Sequence, residues 1–323
     1  MPAIQSKTIE SNGIRMHVLE AGEGPLVVLL HGFPELGYSW RHQLPALAEA
    51  GYHVVAPDQR GYGQSGRPEA IEAYTLCHLA GDVVGLVHAL GEKRAAVIGH
   101  DWGSGVAWTC ALLRPDIFGA VGLLSVPYLA GLWSGPPPTS MMKQLLAGGL
   151  MLYQLYFQEP GPADRDFALD PRDSLLRIFV GASGGIPPEA RWRALYPASQ
   201  AFLDNLPKVD QLPRWLTGAE LDHFAAEFSR TGFTGGLNWY RNMDRDRELL
   251  AFLAGSKIVQ PSLFVAGEED VVISMYRADY DALEQTMPGL TSKILIPGAG
   301  HWVQQEKPDA VNQHLCQFLS HGW

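Results

Sequence analysis

Ala95-Ala96-Val97-Ile98-Gly99-His100-Asp101-Trp102-Gly103 runs from a short apolar strand pattern into a glycine-bracketed triplet, and a helical pattern follows through Arg114. Small residues at 99 and 103 allow a sharp strand-to-helix turn in which backbone passes close to backbone, and such a turn projects its central side chain, here Asp101. An aspartate at a helix start is otherwise an ordinary N-cap. The later chain argues for more. An acid and a histidine follow in the order nucleophile, acid, histidine, each at the end of a predicted strand: Asp270 in AGEEDVV after 262–266, and His301 in PGAGHW after 294–296.

Outward from this turn, short apolar runs alternate with longer helical stretches: 26–30, 40–50, 53–56, 76–90, 95–99, 104–114 and 120–124. Repeated strand–helix alternation predicts an α/β fold, a mostly parallel sheet flanked by helices. Ahead of it, 7–9 and 15–19 read as a hairpin turned at Ser11-Asn12-Gly13. Near Pro127 the alternation stops at a proline-rich passage, GLWSGPPPTS, and aromatic-rich amphipathic segments follow. It resumes with a strand at 261–266, a helix over 275–284, a strand at 292–296 and a helix over 308–319. The domain reading is therefore a core of residues 1–127 and 249–323 interrupted by an inserted helical cap, 128–248, with no internal repeat. In open α/β sheets the carboxyl ends of the strands converge on one crevice, so Asp101, Asp270 and His301 can meet there.

An aspartate at the turn sets the chemistry. A carboxylate with a reference pKa of about 3.9 is ionised at neutral pH and needs no base in order to attack. It suits an sp³ carbon, where displacement gives an alkyl ester; epoxides and haloalkanes are such electrophiles. Asp270 would fix the His301 tautomer while His301 deprotonates a water. Glu268 and Glu269 compete for the acid role but read better as a solvated acidic loop. Hydrolysis of the ester puts negative charge on the Asp101 carbonyl oxygen, and the backbone N–H groups of Phe33 and Trp102 are the candidate oxyanion donors. His31 reads as structural, and Pro34, in a tight turn, is a candidate for a cis peptide.

Composition excludes several functions. A net charge of −10 with no basic patch argues against nucleic acid. Three cysteines, Cys77, Cys110 and Cys316, form no CxxC pair and point to a reducing cytoplasm rather than a disulfide framework. The start MPAIQSKTIESNG lacks a signal-like apolar run, and the most apolar later stretch, 145–157, is shorter than the roughly 20 residues of a membrane span, so no membrane insertion is expected. No motif calls for a metal, flavin, nicotinamide or phosphate cofactor. The acidic balance permits a monomer or a homodimer.

At HGFPELGYSWRHQ (31–43), DQRGYGQSGRP (58–68), GHDWGSGVAW (99–108), YQLYFQEPG (153–161), GFTGGLNWYRN (232–242) and GHWVQQEKP (300–308) the sequence resembles the soluble epoxide hydrolases of the α/β-hydrolase superfamily. The resemblance spans nearly the whole chain, cap included. It implies an α/β-hydrolase fold, a nucleophile at Asp101, a charge-relay pair at Asp270 and His301, and two cap tyrosines, Tyr153 and Tyr240, that donate to the epoxide oxygen. A phenol of pKa about 10 stays protonated at neutral pH yet can protonate a far more basic alkoxide. Spacing alone would not select these two over Tyr156, Tyr128, Tyr38 or Tyr196. Trp102, Phe33, Pro34 and Trp302 are read as an apolar wall for a small hydrophobic epoxide, with water as co-substrate.

Three other functions compete. Haloalkane dehalogenases share the aspartate–histidine chemistry, but a departing halide needs N–H donors and no proton, whereas an epoxide oxygen stays attached and profits from an acid. A non-catalytic relative acting as a receptor would be expected to lose some of these positions, and all are present. A serine esterase is disfavoured because Ser104 and Ser125 lie outside the centre of the turn and read as helix-start and strand-end residues.

Overall fold

The computed structural model describes residues 3–209 and 211–323. Residues 1, 2 and 210, which the domain reading assigns to the first core segment and the cap, lie outside the described residues. In chain order the strands are β1 (Gln5–Ser11), β2 (Ile14–Ala21), β3 (Leu26–Leu30), β4 (His53–Pro57), β5 (Ala95–His100), β6 (Phe118–Leu124), β7 (Leu150–Leu152), β8 (Leu195–Pro197), β9 (Ser262–Gly267) and β10 (Leu290–Ile296). Eight of them form one sheet in the order β1-β2-β4-β3-β5-β6-β9-β10. The β1–β2 and β2–β4 pairings are antiparallel and every later one is parallel.

Every residue of β3, β5, β6 and β9 is buried, which is why these strands read as unbroken apolar runs and not as alternating ones. The period of two survives in where the side chains go. Val28, Leu30 and Val97 pack into the cluster shared with helices Leu76–Ala89 and Trp102–Leu113, while Val27, Leu29, Ala96 and Ile98 pack against helices Gln43–Glu49 and Pro308–Leu319. The opening hairpin turns at Asn12 and Gly13, with φ of 48° and 79°, the paired positive angles of a tight two-residue reversal. Chain order runs from β3 to β4 on one side and then to β5 on the other. The β3/β5 boundary is thus the switch point of the sheet, and Phe33 and Asp101 follow these two strands directly.

Two expectations need correction. The single helix over 275–284 is three short ones, Val271–Met275, Arg277–Asp281 and Leu283–Thr286. The break at Tyr276 coincides with a tertiary contact, because its hydroxyl accepts a hydrogen bond from Gln154 Nε2 at 3.0 Å, and such contacts override local propensity. The insertion is also not purely helical: β7 and β8 form a two-stranded antiparallel pair. Three residues are too few to display a strand period, and Gly148 and Gly149 precede β7.

Residues 128–248 grip the core through polar ties as well as apolar contact. Helix Gly218–Thr231 starts at a Thr217/Glu220 capping box, and the same Glu220 carboxylate accepts Arg41 Nε at 2.6 Å. Trp239 Nε1 donates to the Arg60 carbonyl at 3.1 Å, and Asn242 Nδ2 to that of Ile71 at 2.6 Å. Phe33, at the end of the core's central strand, packs edge-on to Tyr240 with ring centroids 5.5 Å apart and on Phe157 at 5.8 Å. No helix among the described residues is long and apolar enough to cross a membrane.

Candidate active site

Asp101 has φ 52° and ψ −122°, a backbone conformation that costs a non-glycine residue on the order of 1–3 kcal/mol. The surroundings hold it there. Its N–H donates to the Leu124 carbonyl at 3.2 Å, and its own carbonyl accepts the Ser104 N–H at 2.9 Å. The flanking glycines are required by close approach: a Cβ on Gly99 would lie 2.0 Å from the Gly103 carbonyl oxygen, and one on Gly103 2.1 Å from that of Leu30. Although Asp101 occupies the N-cap position of the helix, its side chain caps nothing. Instead Oδ1 accepts the Phe33 N–H at 2.8 Å, and Oδ2 faces His301 Nε2 at 3.5 Å. Of the two expected oxyanion donors, Phe33 therefore contacts Asp101 directly; no hydrogen bond from the Trp102 N–H to the carboxylate is formed among the described residues. The Phe33–Pro34 peptide is cis.

On its other edge, His301 Nδ1 lies 3.2 and 3.1 Å from the two oxygens of Asp270. Asp270 is itself fixed, since Oδ1 accepts the Val272 N–H at 2.9 Å. Glu269 turns away to pair with Arg191 and the Gly185 N–H, and Glu268 is exposed, so neither rival reaches the histidine. Beneath the ring, the His301 carbonyl accepts Ser125 Oγ at 2.7 Å and His100 Nε2 at 2.7 Å. His100 Nδ1 in turn meets Glu35 Oε2 at 2.6 Å, and that oxygen also accepts the Gly32 N–H at 3.0 Å. A single buried carboxylate thereby ties the Phe33 loop to the backbone of His301. His31 is structural, accepting the Gln59 N–H at Nε2, and Ser104 spends its hydroxyl on the carbonyls of Gly99 and Leu124.

Electrostatics follow from these contacts. Burial pushes the His301 imidazole towards its neutral form, but the negative charges of Asp270 and Asp101 outweigh it and hold its pKa well above the ordinary value. For Glu35 burial favours the neutral acid, yet His100 beside it and the Gly32 amide bring the carboxyl down to about 2. Burial, with the nearby charge of Asp101, raises the phenols of Tyr153 and Tyr240 well above 10, so both carry protons at neutral pH.

Asp101 lies where two cavities meet. The smaller, about 40 Å³, is lined by Phe33, Pro34, Tyr240, His301 and Trp302 among others. The larger, about 350 Å³, is lined by Trp102, Gln154, Met243 and Tyr276 among others, and Tyr153 borders both. All four residues read from sequence as an apolar wall face one cavity or the other. The rings of Tyr153 and Tyr240 stand 6.0 Å apart and line the smaller cavity together with Asp101, and Tyr240 also packs edge-on to Trp102 at 5.0 Å. The rival tyrosines line neither cavity: Tyr156 bonds to Asp166, Tyr128 donates to the Ser256 carbonyl at 3.0 Å, Tyr38 packs on His223, and Tyr196 is buried in β8. Sequence reasoning passed over Gln154 and Tyr276. Gln154 sits inside a quoted motif beside Tyr153, whereas nothing in sequence marks Tyr276.

A sharp strand-to-helix turn at the switch point of a mostly parallel sheet is the plan of the α/β hydrolases, and the α/β hydrolase fold family matches residues 25–308. The chain is 49% identical to epoxide hydrolase A of Mycobacterium tuberculosis over 99% of its own length and 98% of that protein's. Among solved structures it resembles an epoxide hydrolase from an endophytic Streptomyces (TM-score 0.94, 46% identity, covering 98% of this chain and 95% of that one). It also resembles epoxide hydrolase A from Mycobacterium thermoresistibile (TM-score 0.92, 50% identity, covering 98% of each). The chain belongs to the epoxide hydrolase family of that superfamily.

Proposed function

We propose that this protein converts small hydrophobic epoxides to vicinal diols through a covalent ester on Asp101. The observation that carries the reading is the meeting of opposites in one cavity: the Asp101 carboxylate and two protonated phenols, Tyr153 and Tyr240, line it together. In the first step Asp101 Oδ2 attacks an epoxide carbon, the C–O bond breaks, and a phenol supplies the proton to the alkoxide. Alkylation also removes the charge on Asp101, one of the two charges that hold the proton on His301. With that support gone, the imidazolium can return a proton to the phenolate through the new hydroxyl and so become a neutral base.

In the second step His301, oriented by Asp270, takes a proton from water as the oxygen attacks Asp101 Cγ. Negative charge develops on Oδ1, the atom that already accepts the Phe33 N–H, and a second donor such as the Trp102 N–H would add to it. Collapse breaks the ester, His301 returns its proton to the leaving diol oxygen, and the remaining water proton passes from the Asp101 carboxyl to His301, restoring the carboxylate–imidazolium pair. The paired acids disfavour the dehalogenase reading, because a halide leaves without needing a proton. Residues 128–248 act in this scheme as the cap that delivers both phenols to a nucleophile held by the core. The free thiols of Cys77, Cys110 and Cys316 fit a reducing, cytoplasmic setting.

The test is diol formation from a panel of aryl and alkyl epoxides, with terminal haloalkanes alongside and Asp101→Ala as control. Diol formed by the parent and abolished in the variant is the expected result. Halide release without diol would move the assignment to dehalogenation, and no reaction with any substrate would favour a receptor.

A further inference from the structure

Besides Gln154 and Tyr276, which bond to each other, the larger cavity is lined by two polar groups that the proposed reaction leaves idle. Asp246, on helix Met243–Leu249, is buried in its wall. Its Oδ1 accepts the Leu76 N–H at 2.8 Å, and among the described residues Oδ2 accepts no hydrogen bond. Trp108, 3% exposed, lines the same cavity, and its indole N–H has no partner among the described residues. Both groups line the cavity, and residues beside them meet at Gly105. A Cβ built on Gly105 would lie 3.6 Å from Trp108 Cζ2 and 3.8 Å from Leu76 Cδ2, and Leu76 is the residue whose amide holds Asp246. Around them the wall is apolar, with Leu129, Leu132, Met142 and Met243.

Holding the start of helix Leu76–Ala89 to the cap accounts for one oxygen of Asp246 and for nothing about Trp108. A buried donor without a partner is costly, and a ligand that supplies the missing partner recovers that cost. We infer that the part of the larger cavity lined by Asp246 and Trp108 is a polar subsite, where the two hold a neutral oxygen acceptor at the far end of a chain whose epoxide lies at Asp101. The inference rests on the reaction proposed above. Burial pushes the Asp246 carboxyl up to about 8 against the opposing pull of the Leu76 amide and Arg245, so at neutral pH it carries a proton and can donate, as the indole does. Two donors select an acceptor: a carbonyl, ether or hydroxyl oxygen. A carboxylate fits less well, because it would shed its hydration in an apolar cavity that already borders the Asp101 charge. The substrate class is therefore an alkyl epoxide oxygenated at its distal end.

The experiment compares terminal epoxyalkanes of about six to ten carbons with the same compounds carrying a hydroxyl, a methyl ester or a carboxylate on the far carbon. At one chain length the parent should favour the hydroxyl or ester compound over the plain alkane by about tenfold in kcat/KM, expressed mainly in KM. That ratio should fall towards unity in Asp246→Leu, shrink in Trp108→Phe, and largely survive in Asp246→Asn, which keeps a donor and an acceptor. Equal ratios in the parent, Asp246→Leu and Trp108→Phe at every length overturn the subsite, and a preference for the carboxylate overturns the neutral acceptor. Should Asp246→Leu fail to fold, Trp108→Phe decides, and a ratio equal to the parent's overturns the proposal. If the parent turns over no epoxide, the reaction assignment fails by itself. Calorimetric titration with an alkanol and the matching terminal alkanediol then still reads the subsite: tighter binding of the alkanediol supports it and equal affinity overturns it.

Discussion

His301 stands between two carboxylates, 3.5 Å from Asp101 and 3.1 Å from Asp270, and the two demands on it belong to different moments of the cycle. Asp101 needs no base to attack, so removing the imidazole should spare the first step and block the second. His301→Gln mixed with an epoxide should accumulate the alkyl–Asp101 ester, read by intact-protein mass spectrometry, with turnover reduced by roughly 10²–10⁴-fold. Unmodified protein with parental turnover would remove His301 from the mechanism. In the proposed cycle the tyrosines belong to the other step. Tyr153→Phe or Tyr240→Phe should slow alkylation in single-turnover experiments by roughly 10²-fold, the lower end for loss of a general acid because its partner remains, with less effect on ester hydrolysis. Rates equal to the parent would mean that other groups serve as acids. Asp101, Asp270 and His301 were legible as candidates because each follows the carboxyl end of a strand, where chemistry and topology coincide. Tyr153 and Tyr240 were legible only through motif resemblance. Asp246 and Tyr276 were not legible at all, and Trp108, although it closes the motif GHDWGSGVAW, has no role marked there, since their lining of one cavity is a product of tertiary packing.

Helix Trp102–Leu113 shows how one element separates glycines needed for approach from one kept for space. Gly103 faces the Leu30 carbonyl at a distance no Cβ can share, so Gly103→Ala should displace the turn. Gly105 has nothing closer than 3.6 Å to such a carbon, and it has ordinary helical geometry. Gly105→Ala should therefore stabilise the fold by about 0.5–1 kcal/mol, raising Tm by about 1–3 °C in thermal denaturation. It should also raise KM for bulky epoxides, because the added carbon protrudes into the larger cavity. A lower Tm would mean that the helix cannot accommodate the methyl group. Element reading from sequence did best where burial is uniform: β3 and helix Pro308–Leu319 have the bounds their patterns indicated. It failed at 271–286, where the Asp270 cap and the Tyr276–Gln154 bond divide the helix, and at the β7–β8 pair, whose pattern exists only once the partners meet.

For the whole molecule, two buried acids act on stability in opposite senses. Glu35 titrates near 2 in the folded state against a usual 4.5, so its contribution is present above pH 4.5 and is lost as pH falls towards 2. Asp246 is the reverse case. With a folded pKa of about 8 against a usual 3.8, the native state keeps a proton that the unfolded chain releases, and stability falls as pH rises through that window. The slope is up to about 1.4 kcal/mol per pH unit. Asp246→Asn keeps the acceptor for the Leu76 amide and has no proton to lose. The stability of the variant relative to the parent should therefore grow steadily from pH 4 to pH 8 in denaturation experiments, and a constant difference would mean that Asp246 ionises freely in the fold.

The unequal cavities on either side of Asp101 have a consequence for handedness. A volume of about 350 Å³ exceeds the roughly 150 Å³ that accommodates benzene, whereas about 40 Å³ has room for only a few water-sized groups. A terminal epoxide thus has one comfortable direction for its chain. With the chain and the oxygen both committed, the mirror images must offer the carboxylate different faces of the ring. A racemate would be consumed at two speeds, the slower hand left behind, sorted by the room available to its tail.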